Sequence, residues 1–527
     1  MLETKRLFAA GLALASLATT GCYDFDTAFQ DCVADGRCNR TECDPTREDQ
    51  PDDAFQDTNC DGIDGTASAA FFVDPLEGRD NNPGTPEAPF KSFAHAVRRA
   101  SSEHKALYLA QGTYDDPSLL LDKPVSLYGG YARVDGGWTR GKEHTTHLGG
   151  GSVGLTVSGL GEDAGVVIDH VRITSSTGQS AGEPSIGMRV LNSKGVRLRY
   201  VEILAGAGAR GADGASASDV TQSGADGGVG QSPTAPGAVA EGGPPGTSAC
   251  GGLPGGKGGK GGASQTSPLA TAGEPGQPST DGGTAGGPRN EPFCSRVPCT
   301  YEGLPGGKGQ DGLPGDAGTD GPPGNPTGKL SSDSWVPEFG LEGGAGAPGG
   351  GGAGGGGGGH IVGGSANSEG GGGGGGGSGG CPGIGAAGGG GGGASIALLL
   401  IQGQVELEFS LLRTADGGQG GAGGQGGNGS SGGVGGPGGK GPSRSDAFNT
   451  VSGGQGGNGG TGGTGGRGGH GGNGGGGPSV GIWCGPSSSF AQANTVFTLG
   501  NPGQPGTGLG RKDTTGLKAE QHQCPNP

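Results

Sequence analysis

The sequence predicts an all-β protein: a solenoid of stacked rungs with an N-terminal capping helix and long glycine-rich insertions. Three observations predict it. A short rung recurs four times, from Ser152 to Ile173, Ser185 to Ile203, Ser395 to Leu412 and Ser479 to Leu499. Glycine makes up 137 of 527 residues, and glycine tracts separate the last three rungs. Only 29% of residues are apolar, so one compact core cannot span the chain.

Each rung reads as two short alternating strands joined by a polar turn. In the second, Val196 and Leu198 alternate with Arg197 and Arg199, one face inward and one outward. A lone rung cannot bury its apolar face, whereas stacked rungs share a continuous core. Long insertions between rungs are tolerated if they leave and re-enter at one turn, because loop-closure cost grows slowly with length.

The N-terminus reads as an address. Lys5 and Arg6 precede an apolar run from Leu7 to Ala18, too short to span a bilayer and right for a secretory leader. The run ends in Thr19-Thr20-Gly21-Cys22. This resembles the bacterial lipobox, although Thr19 stands where that family usually has Leu. The resemblance implies a leader over 1–21 and a lipid on Cys22. It also implies residence at the bacterial outer membrane or cell surface. An ordinary signal peptide is the alternative. No second apolar stretch follows, so the lipid would be the membrane contact.

Of the 11 cysteines, ten remain after Cys22. They are Cys32, Cys38, Cys43, Cys60, Cys250, Cys294, Cys299, Cys381, Cys484 and Cys524. An even remainder in an exported chain reads as disulfides. Two bridges within the first four and three within the last six is the simplest partition, with the connectivity open. No CxxC pair exists, which argues against zinc or a redox site. The net charge of −17 excludes a phosphate-neutralising nucleic-acid surface.

Residues 22–67 form an acidic, cysteine-dense segment, a tether or small stapled module, with 13 Asp or Glu against 3 Arg between Tyr23 and Thr66. Asp57, Asn59 and Asp61 stand on alternate residues before Gly62, with Asp64 following. That order is the first half of a calcium loop. Ser68 occupies the place of the bidentate Glu, so the loop looks more like the thrombospondin or dockerin type. A solvated acidic linker is the alternative. Calcium is the one ion this pattern suggests; no other cofactor is expected.

Residues 68–205 hold the solenoid's opening coils and first rungs. Phe72-Val-Asp74 is followed by Gly78-Arg-Asp80 and Pro83-Gly84-Thr85. Next come Pro89-Phe90, Gly112-Thr113-Tyr114 and Pro124-Val-Ser-Leu-Tyr-Gly129. These resemble the opening of pectin-lyase-like right-handed parallel β-helices, in a branch of unknown function found in bacterial surface proteins. The resemblance covers about 60 residues, and the rungs extend it to roughly 150. Phe93, Ala96, Val97 and Ala100 share one helical face that can cap the open end. Asp74 and Asp80 read as turn and capping residues.

The glycine-rich insertions occupy 206–394 and 413–478, around a rung at 395–412. A last rung at 479–500 precedes a tail at 501–527. From Gly303 to Pro326 glycine falls at every third place, which resembles collagen. The GG-x runs of Gly417–Asn428 and Gly453–Gly477 resemble polyglycine-II bundles and the arrays of mycobacterial PE-PGRS proteins. A flexible linker is the alternative. A GLPGGKG motif follows both Cys250 and Cys299, which marks a duplicated unit. It lacks phosphate-loop spacing. His360 and His470, inside the tracts, are expected to face solvent.

β-helix enzymes place carboxylates, Arg or Lys along one external groove. The candidates are Asp169, His170 and Arg172 on one rung, with Arg197, Arg199 and Glu202 on the next. Glu406 and Glu408 stand at the positions matching Arg197 and Arg199, which predicts Arg–Glu pairs between rungs, a structural use. No catalytic order of Ser, His and Asp stands out. The leading expectation is a non-enzymatic, lipid-anchored protein for envelope structure, adhesion or matrix contact. Its partners would be the membrane, envelope polysaccharide or other surface proteins. A polysaccharide-binding or polysaccharide-cleaving β-helix, a lyase or glycoside hydrolase, is the alternative. A third reading makes the glycine tracts a self-associating or ice-like surface.

Overall fold

The computed structural model describes Ala34 and residues 44–248, 250–278, 280–292, 299–511 and 514–525. The expected leader, Cys22, Cys32, Cys38, Cys43 and Cys294 lie outside the described residues. The architecture is parallel β-helix-like. One sheet stacks Ala70–Val73, Ala106–Ala110, Leu127–Val134, Val166–Asp169, Ser185–Arg199, Ser395–Glu408, Ser479–Cys484 and Lys518–His522. A second stacks Gly112–Asp116, Thr146–Gly150, Val171–Thr174, Glu202–Ala205, Leu411–Thr414 and Val496–Thr498. Neighbours along both stacks run parallel. One antiparallel hairpin, Gly137–Arg140 on Leu127–Val134, branches from the first.

The apolar alternation sets the register. Met188, Leu398 and Ile482 lie above one another, as do Val196, Val405 and Phe490. Their side chains form the interior with Leu198, Leu407, Ile203 and Leu412. Each fully buried aliphatic side chain contributes roughly 1.5–3 kcal/mol. The helix α1 (Phe93–Glu103) is present, with Phe93, Ala96, Val97 and Ala100 buried against the first coil. The Ser92 hydroxyl accepts from the His95 amide at 3.4 Å, and Asp80 accepts from the Lys91 and Ser92 amides.

The expected two strands per rung are, in two coils, a single bent one. Ser185–Arg199 and Ser395–Glu408 run through a corner and pair on both sides of it, with a one-residue register shift between Ser193 and Val196. Asn192 and Gln402 make that bend with φ of 46° and 51°, a left-handed turn that these polar residues tolerate. A second corner stacks His170, Tyr200, Phe409 and Asn494, all with φ near +50°. A third stacks Ser185, Ser395 and Ser479, each buried and donating its hydroxyl to a carbonyl of the neighbouring turn.

Every long excursion leaves the second sheet and returns at the serine corner. Strands end at Ala205 and Thr414 and resume at Ser395 and Ser479. Between them the glycine segments pack side by side. Segment 453–477 donates from Gly456, Gly459 and Gly462 to the carbonyls of Gly439, Gly436 and Gly433 at 2.8–2.9 Å. It also donates from Gly457 and Gly460 to Gly356 and Ala353, both at 2.8 Å. It accepts from Gly374 and Gly377, and from Gly309 and Gly312. Each ladder steps by three residues. A Cβ at Gly457 would collide with the Gly307 carbonyl, so glycine is required by the approach of backbone to backbone.

The third residue of each triplet points away, and its amide needs another partner. Asp311 accepts from the Thr461 amide and Asp320 from the His470 amide, each at 2.8 Å. The expected exposure of His360 is not found. It is 5% exposed, its Nδ1 lies 3.0 Å from Gln265 Nε2, and burial lowers its pKa. It sits where packed segments close over it rather than on a loose linker. His470 is half-buried and accepts from the Gly426 amide at 3.2 Å.

The glycine body is tied to the solenoid. The hairpin Lys329–Leu330 with Trp335–Val336 lays Trp335 on the outer face of the first sheet, against Ile396, Leu399 and Trp483. This explains why the run Ile396–Ile401 is apolar on both faces. Disulfides join Cys250 to Cys381 and Cys484 to Cys524. Cys60 and Cys299 are also disulfide-bonded, to partners outside the described residues.

Candidate functional site

Two features of the first sheet's outer side matter for function: an open cleft and a buried charge cluster. The cleft has a volume of about 500 Å³ and crosses three coils, lined by Glu162, Val167, Lys194, Arg197, Gln404 and Glu406. Strand register puts Val167, Arg197 and Glu406 side by side. Arg197 Nε donates to Glu406 Oε2 at 2.9 Å, and both side chains are about half exposed. Lys194 pairs with Glu162, and that pairing lowers the Glu162 pKa. The cleft therefore carries two cation–carboxylate pairs and no aromatic wall.

Arg199 and Glu202, the other groove candidates, do not join Arg197. Arg199 turns to Asp169 and donates from Nε to Oδ2 at 2.7 Å. Glu202 lies beyond the aromatic corner, where Arg172 donates from Nε to its Oε2 at 2.6 Å. Glu408 occupies the register position beside Arg199, but the nearer bond is to Asp169. The expected Arg–Glu pairing between rungs thus holds for Arg197 with Glu406, while Arg199 is drawn inward.

The charge cluster centres on Arg140. This residue was not legible as functional: it lies on a short hairpin strand with no motif around it. Its Nη1 donates to Asp64 Oδ2 at 2.8 Å, and its Nη2 donates to Asp169. Its Nε reaches the Gly129 carbonyl and Nη1 also reaches the Asp52 carbonyl. The three side chains are at most 2% exposed. Burial pushes the Asp64 carboxyl up to about 6, against the opposing pull of Arg140. Burial also works to raise Asp169, but the His170 hydrogen bond and the charges of Arg140 and Arg199 outweigh it and hold that carboxyl below its ordinary value. Asp169 accepts from three side chains and faces no solvent, so it has no access to a substrate proton.

This cluster docks residues 44–66 onto the coils. Phe55 meets His170 edge-on at 5.0 Å, Tyr131 donates to the Asp64 carbonyl at 2.7 Å, and Tyr200 donates to Asp53 at 2.9 Å. The calcium-loop residues Asp57, Asn59 and Asp61 accept from the amides of Gly62, Asp61 and Ala67, while Asp64 is committed to Arg140. Among the described residues no group of three His, Cys, Asp or Glu is placed to hold a metal ion.

The aromatic residues near the first coils are buried. Tyr108 and Tyr131 stack at 4.8 Å beside Phe72 and Trp138. At the second corner His170, Tyr200 and Phe409 stack at 4.7 and 5.1 Å. The stack sandwiches Tyr200 between its neighbours and leaves Phe409, at its end, 51% exposed.

Among the described residues no helix is long and apolar enough to cross a membrane. The family model described as "Protein of unknown function (DUF1565)" matches residues 76–182. No curated protein matches the chain. Among solved structures it is similar to a GH136 lacto-N-biosidase from Eubacterium ramulus, at 13% identity over 26% of this chain and 27% of that one, with a TM-score of 0.19. It is also similar to a rhamnogalacturonan lyase, at 16% identity over 26% of this chain and 36% of that one, with a TM-score of 0.15. The chain spans well under half the length of either protein. Over its opening coils, then, the chain is similar to a protein family of unknown function.

Proposed function

We propose that this chain is a non-enzymatic scaffold of the bacterial cell envelope, anchored at the outer membrane or cell surface by a lipid on Cys22. The observation that carries the proposal is the continuous hydrogen bonding of the glycine segments into a body fixed to the stacked coils. Such a body, read as polyglycine-II-type packing, gives a rigid, wide surface at little side-chain cost. The outward charges support the same reading. Arg172, Arg197 and Arg199 are each matched by a carboxylate on a neighbouring coil, which braces coils against one another.

The test is fractionation of the native cell with and without C22S, together with limited proteolysis. The expected result is loss of membrane association in C22S, with the glycine body surviving protease alongside the coils. Membrane association unchanged in C22S, or rapid loss of the glycine segments, would overturn the proposal.

The cleft at Arg197 and Glu406 favours a second reading, in which a polysaccharide segment lies across the coils. Retention on, or turnover of, an acidic envelope polysaccharide, abolished by R197A and E406A together, is the result that would replace the first reading.

A further inference from the structure

We propose that the C-terminal strand Lys518–His522 is a detachable cap on the solenoid, held down by the Cys484–Cys524 disulfide and released when a dithiol reduces that bond. The strand runs parallel on Ser479–Cys484 and pairs Val480 with Ala519, Ile482 with Gln521 and Trp483 with His522. It ends the first sheet, and among the described residues nothing pairs with its far side. Cys524 stands two residues beyond it and is bonded to Cys484, 40 residues earlier in the chain.

Register shows how weakly the cap is held without that bond. Met188, Leu398 and Ile482 form one column of the interior, and the cap continues it with Gln521. Leu399 and Trp483 form a column of the outer face, and the cap continues it with His522. Polar side chains laid on apolar ones gain little from burial. The cap also traps polar atoms. Trp483 Nε1, His522 Nε2 and Thr514 Oγ1 are buried with no hydrogen-bond partner among the described residues, a cost that contact with water would remove. The Trp483 and His522 rings meet edge-on at 4.5 Å, so both nitrogens belong to this one contact. Against that cost stand a ladder on a five-residue strand and the disulfide. The disulfide keeps a detached tail close to its coil, and so decides whether the cap is on.

The hinge is set by Asn473, which is fully buried. Its Nδ2 donates to the carbonyls of Gly510 and Arg511 at 2.9 and 3.0 Å, and its Oδ1 accepts from the amides of Gly423 and Gly508. The chain up to Arg511 therefore stays with the glycine body, and the part that leaves is 514–524. Cys484 is 1% exposed and lies in the interior, while Cys524 is half-buried against it. The thiolate of a dithiol attacks Cys524 Sγ, and Cys484 leaves as a thiolate that takes up a proton. The second thiol of the reagent then closes the reagent's own disulfide and frees Cys524 as a thiol. Two electrons and two protons pass from the dithiol to the bridge. Cys484 remains in the interior as a small apolar group. Cys524 departs with the cap, which bares the edge of Ser479–Cys484.

The experiment is amide hydrogen exchange read by mass, on the full exported chain with C22S. C524S should speed exchange in 479–484 and 518–522 by about tenfold or more, the mark of local opening. Ser395–Glu408 and 453–477 should keep their wild-type rates. C250S, which removes the Cys250–Cys381 bridge of the glycine body, should leave 479–484 unchanged. Q521L and H522L added to C524S should restore protection, because apolar side chains then hold the cap without the bond. Circular dichroism checks the fold. If C524S does not fold, a dithiol is titrated onto the folded chain and the freed thiols are alkylated and mapped; exchange in 479–484 should then rise in step with alkylation of Cys524. Wild-type exchange in 479–484 once the bond is gone overturns the proposal. So does a rise spread equally over all coils, which would make the bond a general staple and not a latch.

Discussion

Arg197 and Glu406 are 209 residues apart in sequence, yet the Arg197 Nε donates to Glu406 Oε2 at 2.9 Å. They are neighbours because the intervening chain leaves the solenoid at one corner and returns at the same corner. The pair is half exposed, so solvent screens it. R197A is expected to cost less than about 1 kcal/mol in chemical denaturation. A loss of several times that would mean the pair locks the coil register.

Arg140 is the opposite case. It is shared by two buried carboxylates, and its removal strands charge in the interior. R140M should destabilise the chain by about 3–5 kcal/mol, and should free residues 44–66 for proteolysis. A thermal midpoint within a degree or two of wild type would refute this role.

The raised Asp64 carboxyl predicts a pH dependence of definite sign. Its folded value of about 6 lies above the ordinary 3.8, so the fold holds a proton that the unfolded chain has released. Its contribution is greatest below about pH 4 and falls as pH rises to 6, by up to about 3 kcal/mol. Asp169 runs the other way: its pKa is lowered, so its contribution is lost on acidification. D64N should flatten the decline between pH 4 and 6, measured by denaturation at each pH. An unchanged slope would assign that decline to another group.

The glycine body predicts a period of three in amide exchange. Gly456, Gly457, Gly459 and Gly460 donate within the body and should be protected. Thr461 and His470, held by Asp311 and Asp320, should be protected too, and D311A should release Thr461 alone. Uniformly fast exchange across 453–477 would mean that the segments do not pack.

A single buried methyl should be enough to disturb that packing. G457A sets a Cβ against the Gly307 carbonyl, and overpacking of this kind costs roughly 1–3 kcal/mol. T461A, at an exposed third position, should leave stability within about 0.5 kcal/mol. Equal effects of the two would deny the close approach.

By itself the sequence determined the elements. Period-two alternation at Val196–Arg199, the helical face of Phe93, Ala96, Val97 and Ala100, and the glycine triplets are all local patterns, and local backbone preference reads them out. The placing of Glu406 beside Arg197 was legible as well, because rungs of similar length stack in register. Only the tertiary structure decided the rest. Arg140 carries no local signal, and its partners come from the docked segment 44–66 (Asp64) and from a coil strand (Asp169). Arg199 chose Asp169 over Glu408 because a buried carboxylate needs a cation more than a solvated one does. Whether glycine segments flex or pack depended on partners up to 209 residues away, since a GG-x helix has no bonds of its own and is satisfied only by its neighbours.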